Sequence, residues 1–235
     1  MEPSTSGPGR VVGDEPRWHA SLGVLAALVL YITLPPRLTL GPIWLPPVLV
    51  LVLLIPLSIL GPHRHAETRR LRFAGILLIA IVNVFNMASV ALLINGFFHP
   101  TRVTELNSAG ILLRHGVQIW LTNIIVFALW FWELDGDGPE ARAHASAAVE
   151  FHNADFLFPQ MQNALMGAKP LPCLDPYWKP KFFDYLYLSF TNATAFSPSD
   201  VMPLSRWAKA LMMVEALISL MTIAIVLARS VSLIQ

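Results

Sequence analysis

The sequence predicts an all-α integral membrane protein with about five transmembrane helices and one short helix and loop that enters the bilayer without crossing it. Three observations carry that prediction. Charged residues make up only 13% of the chain, about half the share usual in soluble domains, and mean hydropathy is +0.58. Several apolar runs approach the roughly 20 residues needed to cross hydrocarbon. Finally, the run from Phe182 to Phe190 is too short to cross and too apolar for an exposed loop. Irregular backbone beside such a segment survives at membrane depth only when it is buried in protein or lines a wet cavity.

Composition also excludes several kinds of chemistry. A net charge of +1 gives no reason to expect a nucleic-acid partner. The single cysteine, Cys173, excludes an internal disulfide and any Cys-based zinc site. His63 and His65 have no acidic or Cys companions at ligand spacing, so no metal site is expected. The chain holds no glycine-rich phosphate loop, no Gly-x-Ser-x-Gly elbow and no His-Glu-x-x-His, and neither a cofactor nor an enzymatic activity is expected.

Taken in order, residues 1–16 are rich in Pro, Gly, Ser and charge and read as a disordered tail. Residues 17–95 form a three-helix membrane region. Its first span, Trp18 to Leu34, is followed by Pro35-Pro36-Arg37 and not by a small-residue cleavage site, so it reads as a retained span and not as a signal peptide. Ile43 to Leu60 is the second span. The stretch Gly61 to Arg72 carries four arginines in twelve residues, and such a short basic loop belongs on the cytoplasmic side. Leu71 to Ile94 is the third span; its Asn83, Asn86 and Ser89 read as polar glue between helices. Residues 96–110 are a polar linker.

Residues 111–235 form the second half of the chain. A span over 111–133 ends in Trp130 and Trp132, which with Glu133 and Asp135 resemble an aromatic belt at the membrane boundary. The extramembrane loop 134–180 follows, and six acidic residues from Glu133 to Asp155 face a single Arg142. That acidity reads as a solvated loop, with an acid ring near a pore mouth as the alternative. Residues 181–200 hold the short apolar helix, read as half-inserted with an amphipathic helix lying in the interface as the alternative, and a polar loop, Thr191 to Asp200. The last span covers 203–230, with Ser199 or Asp200 as its cap and Pro203 in its first turn. Within it, Glu215, Ser219 and Thr222 are spaced i, i+4, i+7 and share one face. An ionisable residue inside a span is a functional candidate by default, so Glu215 stands out; the alternative is a structural pairing with a neighbouring helix.

The order of outer span, short apolar helix, polar loop and final span resembles the pore module of the tetrameric potassium-channel superfamily. Laid without gaps on that family's Thr-Thr-Val-Gly-Tyr-Gly-Asp filter, this chain reads Thr194, Ala195, Phe196, Ser197, Pro198, Ser199, Asp200. The leading Thr, the closing Asp and a Pro three residues later, Pro203, match. Both filter glycines are replaced, by Ser197 and Ser199. In a potassium filter, backbone carbonyls stand in for the ion's water shell, and glycine permits the dihedrals that aim them.

The resemblance implies a channel-like homotetramer in the cell membrane, with lipid and inorganic ions as its partners. It assigns Thr194, Ser197 and Ser199 to a central path, Asp200 to a place behind it or at its mouth and Glu215 to the inner helix beyond. The missing glycines imply weak or no selectivity for potassium over sodium. A non-conducting scaffold that binds a partner or lipid, plugged by Phe196 and Pro198, is the alternative; a solute transporter with a broken helix at 182–200 is a third. With five spans, the basic loop and residues 134–203 share one side of the membrane. If that side is cytoplasmic, the filter-like loop faces inward, opposite to the family. The sequence leaves the orientation open.

Overall fold

The computed structural model describes residues 18–42, 44–60, 68–98, 109–144, 153–165, 178–194 and 200–232. Among these the chain is mostly helical. The helices are α1 (Trp18–Ile32), α2 (Leu45–Leu60), α3 (Thr68–Phe98), α4 (Ala109–Leu134), α5 (Pro139–His144), α6 (Pro159–Leu165), α7 (Phe182–Thr194) and α8 (Arg206–Ser232). Two two-residue strands, β1 (Phe156–Leu157) and β2 (Met202–Pro203), pair antiparallel, with Phe156 opposite Pro203 and Leu157 opposite Met202.

Among the described residues, three helices are long and apolar enough to cross a membrane, within Arg72–Gly96, Gly110–Asp137 and Arg206–Ser232. At about 1.5 Å per residue, α1 and α2 reach only about 22 to 24 Å, short of the roughly 30 Å hydrocarbon core. The first stops where its sequence dictates. Thr33 turns its hydroxyl back onto the carbonyls of Val29 and Leu30, and Pro35-Pro36 then removes two donors in succession. The chain leaves through a 3-10 turn, Pro36–Leu38, which the Tyr31 hydroxyl pins by accepting the Leu40 N–H at 3.1 Å.

α4 is the central post. It packs against α1, α3, α7 and α8, and 61% of its spanning window is buried within the chain, against 44% for α3 and 28% for α8. Ile119, Val126, Phe127, Leu129 and Phe131 on α4 are all buried. The crossing with α8 is close because residue 116 is glycine: a Cβ there would overlap the Val226 side chain.

Where α4 ends, Gly136, Asp137 and Gly138 all take positive φ, at 55°, 65° and 97°. Two glycines make that left-handed reversal cheap, and it brings α5 back against the end of α4. The same turn meets the start of α3, where Arg72 pairs with Asp137 at 3.4 Å. Arg72 at the start of α3 and the turn after α4 therefore lie at one end of the helices.

Several local expectations are revised. Trp132 is buried and packs edge-on against Phe182 instead of lying in a boundary belt. Glu133 and Asp135 are buried, so the acidic stretch does not begin as a solvated loop. Pro203 sits in β2, not in a helix. Because β1 holds it extended and Leu204 donates to the Asp155 carbonyl at 2.8 Å, α8 starts later and Ser205 caps it, accepting the Ala208 N–H at 3.1 Å. α7 runs to Thr194, so Thr191 to Thr194 belong to the helix and not to the loop. Thr191 and Thr194 support that last turn by bonding back to the carbonyls of Leu188 and Thr191 at 2.9 and 3.0 Å.

Candidate functional site

α7 is held against two long helices by its own sequence spacing. Tyr185, Leu188 and Ser189 recur on one face and are fully buried, while Phe183, Tyr187 and Phe190 point outward. Lys181 opens the helix, and Asp184 reaches back to accept its N–H at 2.7 Å, in the manner of a capping box. At 13 residues the helix is about 20 Å long, and it lies between α4 and α8.

Its buried face meets the polar stripe of α8. Glu215, Ser219 and Thr222 have 0%, 0% and 2% of their surface exposed, and all three turn into the interior of a single chain. Ser189 contacts Glu215 Oε1 and also bonds to the Ile124 carbonyl on α4, the latter at 2.7 Å. Asn192 donates to Glu215 Oε2 at 2.6 Å and to the Met212 carbonyl at 2.9 Å. One helical turn along α8, Ser219 accepts from Asn123 at 3.1 Å, and Asn123 in turn accepts from Asn86 at 3.2 Å. Polar contacts thus join α3, α4, α7 and α8 inside the helix bundle. Thr222 bonds within its own helix, to Ile218, and Ser89 does likewise, to Phe85.

A second cluster closes the end of the bundle. Asp135 accepts from the backbone N–H groups of Asp155 and Phe156 at 2.7 and 3.2 Å, and from the Tyr185 hydroxyl at 2.5 Å. Arg142 donates to the Asp135 carbonyl and lies over the Tyr185 ring, 5.1 Å from its centroid. Lys179 donates to the Arg142 carbonyl at 2.7 Å. One carboxylate therefore fastens the segment after α4, the entry to β1 and the first half of α7 to each other.

The residues singled out from sequence divide into three groups. Glu215 and Ser219 are brought together with partners from two other helices, α7 and α4. Thr194 stands half-buried at the end of α7 and Asp200 is exposed. Ala195, Phe196, Ser197, Pro198 and Ser199 lie outside the described residues. Sequence reading missed Asn123, Ser189, Asn192, Asp135 and Tyr185. A usable signal existed for the first three, since each is a polar residue within an apolar helix, the same signal that marked Asn86. Asp135 and Tyr185 gave none, because their partners are distant in the chain.

Among the described residues, no group of three or more His, Cys, Asp and Glu side chains is arranged to hold a metal ion. No family model matches the chain, and no curated protein or solved structure does so either.

Proposed function

We propose that the chain is a channel-like, multi-pass protein of the cell membrane, in which α4, α7 and α8 are the outer, half-inserted and inner helices of a pore-type module. The observation that carries this reading is α7 itself: a helix of 13 residues, too short to cross, wedged between two spanning helices and fastened to both through Ser189. In this reading α1 and α2 complete five crossings, tilting little and drawing the bilayer in around them. Four copies assemble about an axis lined by the loop from Thr194 to Asp200. α8 supports self-assembly, because its span is the least covered by its own chain and leaves Met213, Leu217, Leu220 and Met221 exposed. With serines where a potassium filter has glycines, the path discriminates weakly between potassium and sodium.

The test is the mass of the detergent-solubilised particle together with cation flux from proteoliposomes. Four copies and comparable potassium and sodium flux are expected; a monomer that passes no ions at any voltage or pH would remove the reading. One observation favours a second function. Glu215, Ser219 and Thr222 are consumed inside the protomer, which leaves the inner helix without a polar face for an axis. A non-conducting scaffold that keeps the module accounts for this, and it predicts no flux, with a monomer in detergent favouring it.

A further inference from the structure

Glu215 is fully buried, and its surroundings are unusual for a carboxylate. Among the described residues no cation pairs with it. The other charged or titratable side chains described on the helices packed around it are Arg114, His115 and Glu133 on α4, Asp184, Tyr185 and Tyr187 on α7, Arg206, Lys209 and Arg229 on α8, and Arg72 on α3. None of them makes a hydrogen bond or ion pair with Glu215. Among the described residues its hydrogen-bond partners are Ser189 and Asn192. An ionised carboxylate in a dry, apolar interior is costly without a partner charge.

The hydrogen count around Ser189 decides how the site is satisfied. A serine hydroxyl has one hydrogen, yet Ser189 Oγ lies within bonding distance of two oxygens, the Ile124 carbonyl and Glu215 Oε1. A carbonyl has no hydrogen to give. If both contacts are hydrogen bonds, the second hydrogen sits on Glu215. The opposite side of the carboxyl is fixed independently. Asn192 uses one amide hydrogen for the Met212 carbonyl and the other for Glu215 Oε2. Rotating that amide would press its oxygen against the Met212 carbonyl, so Asn192 donates and Oε2 accepts. The protonated oxygen is then Oε1, which faces Ser189.

We infer that Glu215 is a proton-binding site: a carboxylic acid that keeps its hydrogen in the resting protein and donates it to Ser189, which donates in turn to the Ile124 carbonyl. The ligand is a single proton, taken up from water and returned to it, with no other group consumed. While it is bound, every donor and acceptor of the triad is paired, and α7 is latched to α4 and α8 one turn before Thr194. Loss of the proton leaves Ser189 one hydrogen for two acceptors, and a bare charge between three helices.

Full-length protein in lipid nanodiscs, compared with its Glu215→Gln variant by infrared difference spectroscopy at neutral pH, tests the assignment. The amide donates to Ser189 and accepts from Asn192 as the neutral acid does, so the variant is expected to fold. Loss in the variant of one carbonyl-stretch band of a protonated carboxylic acid is the expected result. Loss of a pair of carboxylate bands in its place overturns the inference. Should the variant not fold, the native protein is treated with an apolar carbodiimide and the adduct located by peptide mass. The acid's proton passes to a carbodiimide nitrogen while the carboxyl oxygen adds to its carbon, so the reaction requires the protonated form. Addition at Glu215 at neutral pH, fading as pH rises, is expected, and no addition there at neutral pH overturns the assignment. Neither measurement depends on ion flux, so the inference stands or falls apart from the channel reading.

Discussion

Two side chains carry much of the cohesion at the residue scale. Asn123 links α3 to α8 across α4, accepting from Asn86 and donating to Ser219. Hydrogen bonds between membrane helices average well under 1 kcal/mol, because the separated helices find other partners. Asn123→Ala also leaves Asn86 and Ser219 without their shared partner, so a loss of about 1 to 2 kcal/mol is expected in a detergent unfolding titration. Asp135 is worth more. Tyr185→Phe removes one of its three donors and should cost about 1 to 3 kcal/mol. Asp135→Ala strands the Tyr185 hydroxyl and two backbone N–H groups in the interior, and should cost about 3 to 5 kcal/mol. The order of the two variants in a thermal melt checks the assignment: if the tyrosine variant proves the weaker, Asp135 is not the hub.

The crossing of α4 and α8 governs the element scale. Gly116 lets the two backbones approach until its own α-carbon faces Val226, and seven residues further along α4 the Asn123–Ser219 bond closes the same contact. Gly116→Leu forces the helices apart, with an expected loss of about 1 to 3 kcal/mol from overpacking. Once they are apart the hydrogen bond is already broken. Adding Asn123→Ala should then cost far less than it does alone, a coupling that a double-mutant cycle reads directly. Strictly additive losses would mean that the two contacts do not belong to one interface. α7 depends on both helices at once, which explains how so short a helix persists: isolated helices of this length are marginal, and here Ser189 and Asn192 are fastened to side chains and carbonyls of α4 and α8.

On the scale of the whole molecule, the meeting of Arg72 with Asp137 puts the arginine-rich start of α3 and the turn after α4 on one side. In the proposed multi-pass reading, the preference of basic loops for the cytoplasm would make that side inward. A cysteine introduced as Asp137→Cys, in a Cys173→Ala background, is expected to react with a membrane-impermeant maleimide only in inside-out vesicles. Reaction in right-side-out vesicles would reverse the orientation and, in the proposed reading, bring the filter-like loop to the outer face. Removing the exposed Arg72–Asp137 pair should itself cost little, since surface ion pairs contribute about 0 to 1 kcal/mol.

The sequence by itself determined the apolar helices, the short length of α7 and the single face shared by Glu215, Ser219 and Thr222. Each of these follows from local periodicity and from the thickness of hydrocarbon. It also marked Asn86 correctly as a residue that bonds across helices. Only the tertiary structure decided which neighbours those faces meet. The α8 stripe turns into its own chain because α4 and α7 offer Asn123, Ser189 and Asn192 at matching heights, and α7 continues to Thr194 because Asn192 has a partner on α8. Asp135 was legible only as one acid among six, since the donors that give it meaning lie 20 and 50 residues away in the chain. Helical spacing is a property of adjacent residues, whereas the choice of partner is fixed by helices that come together only when the chain folds.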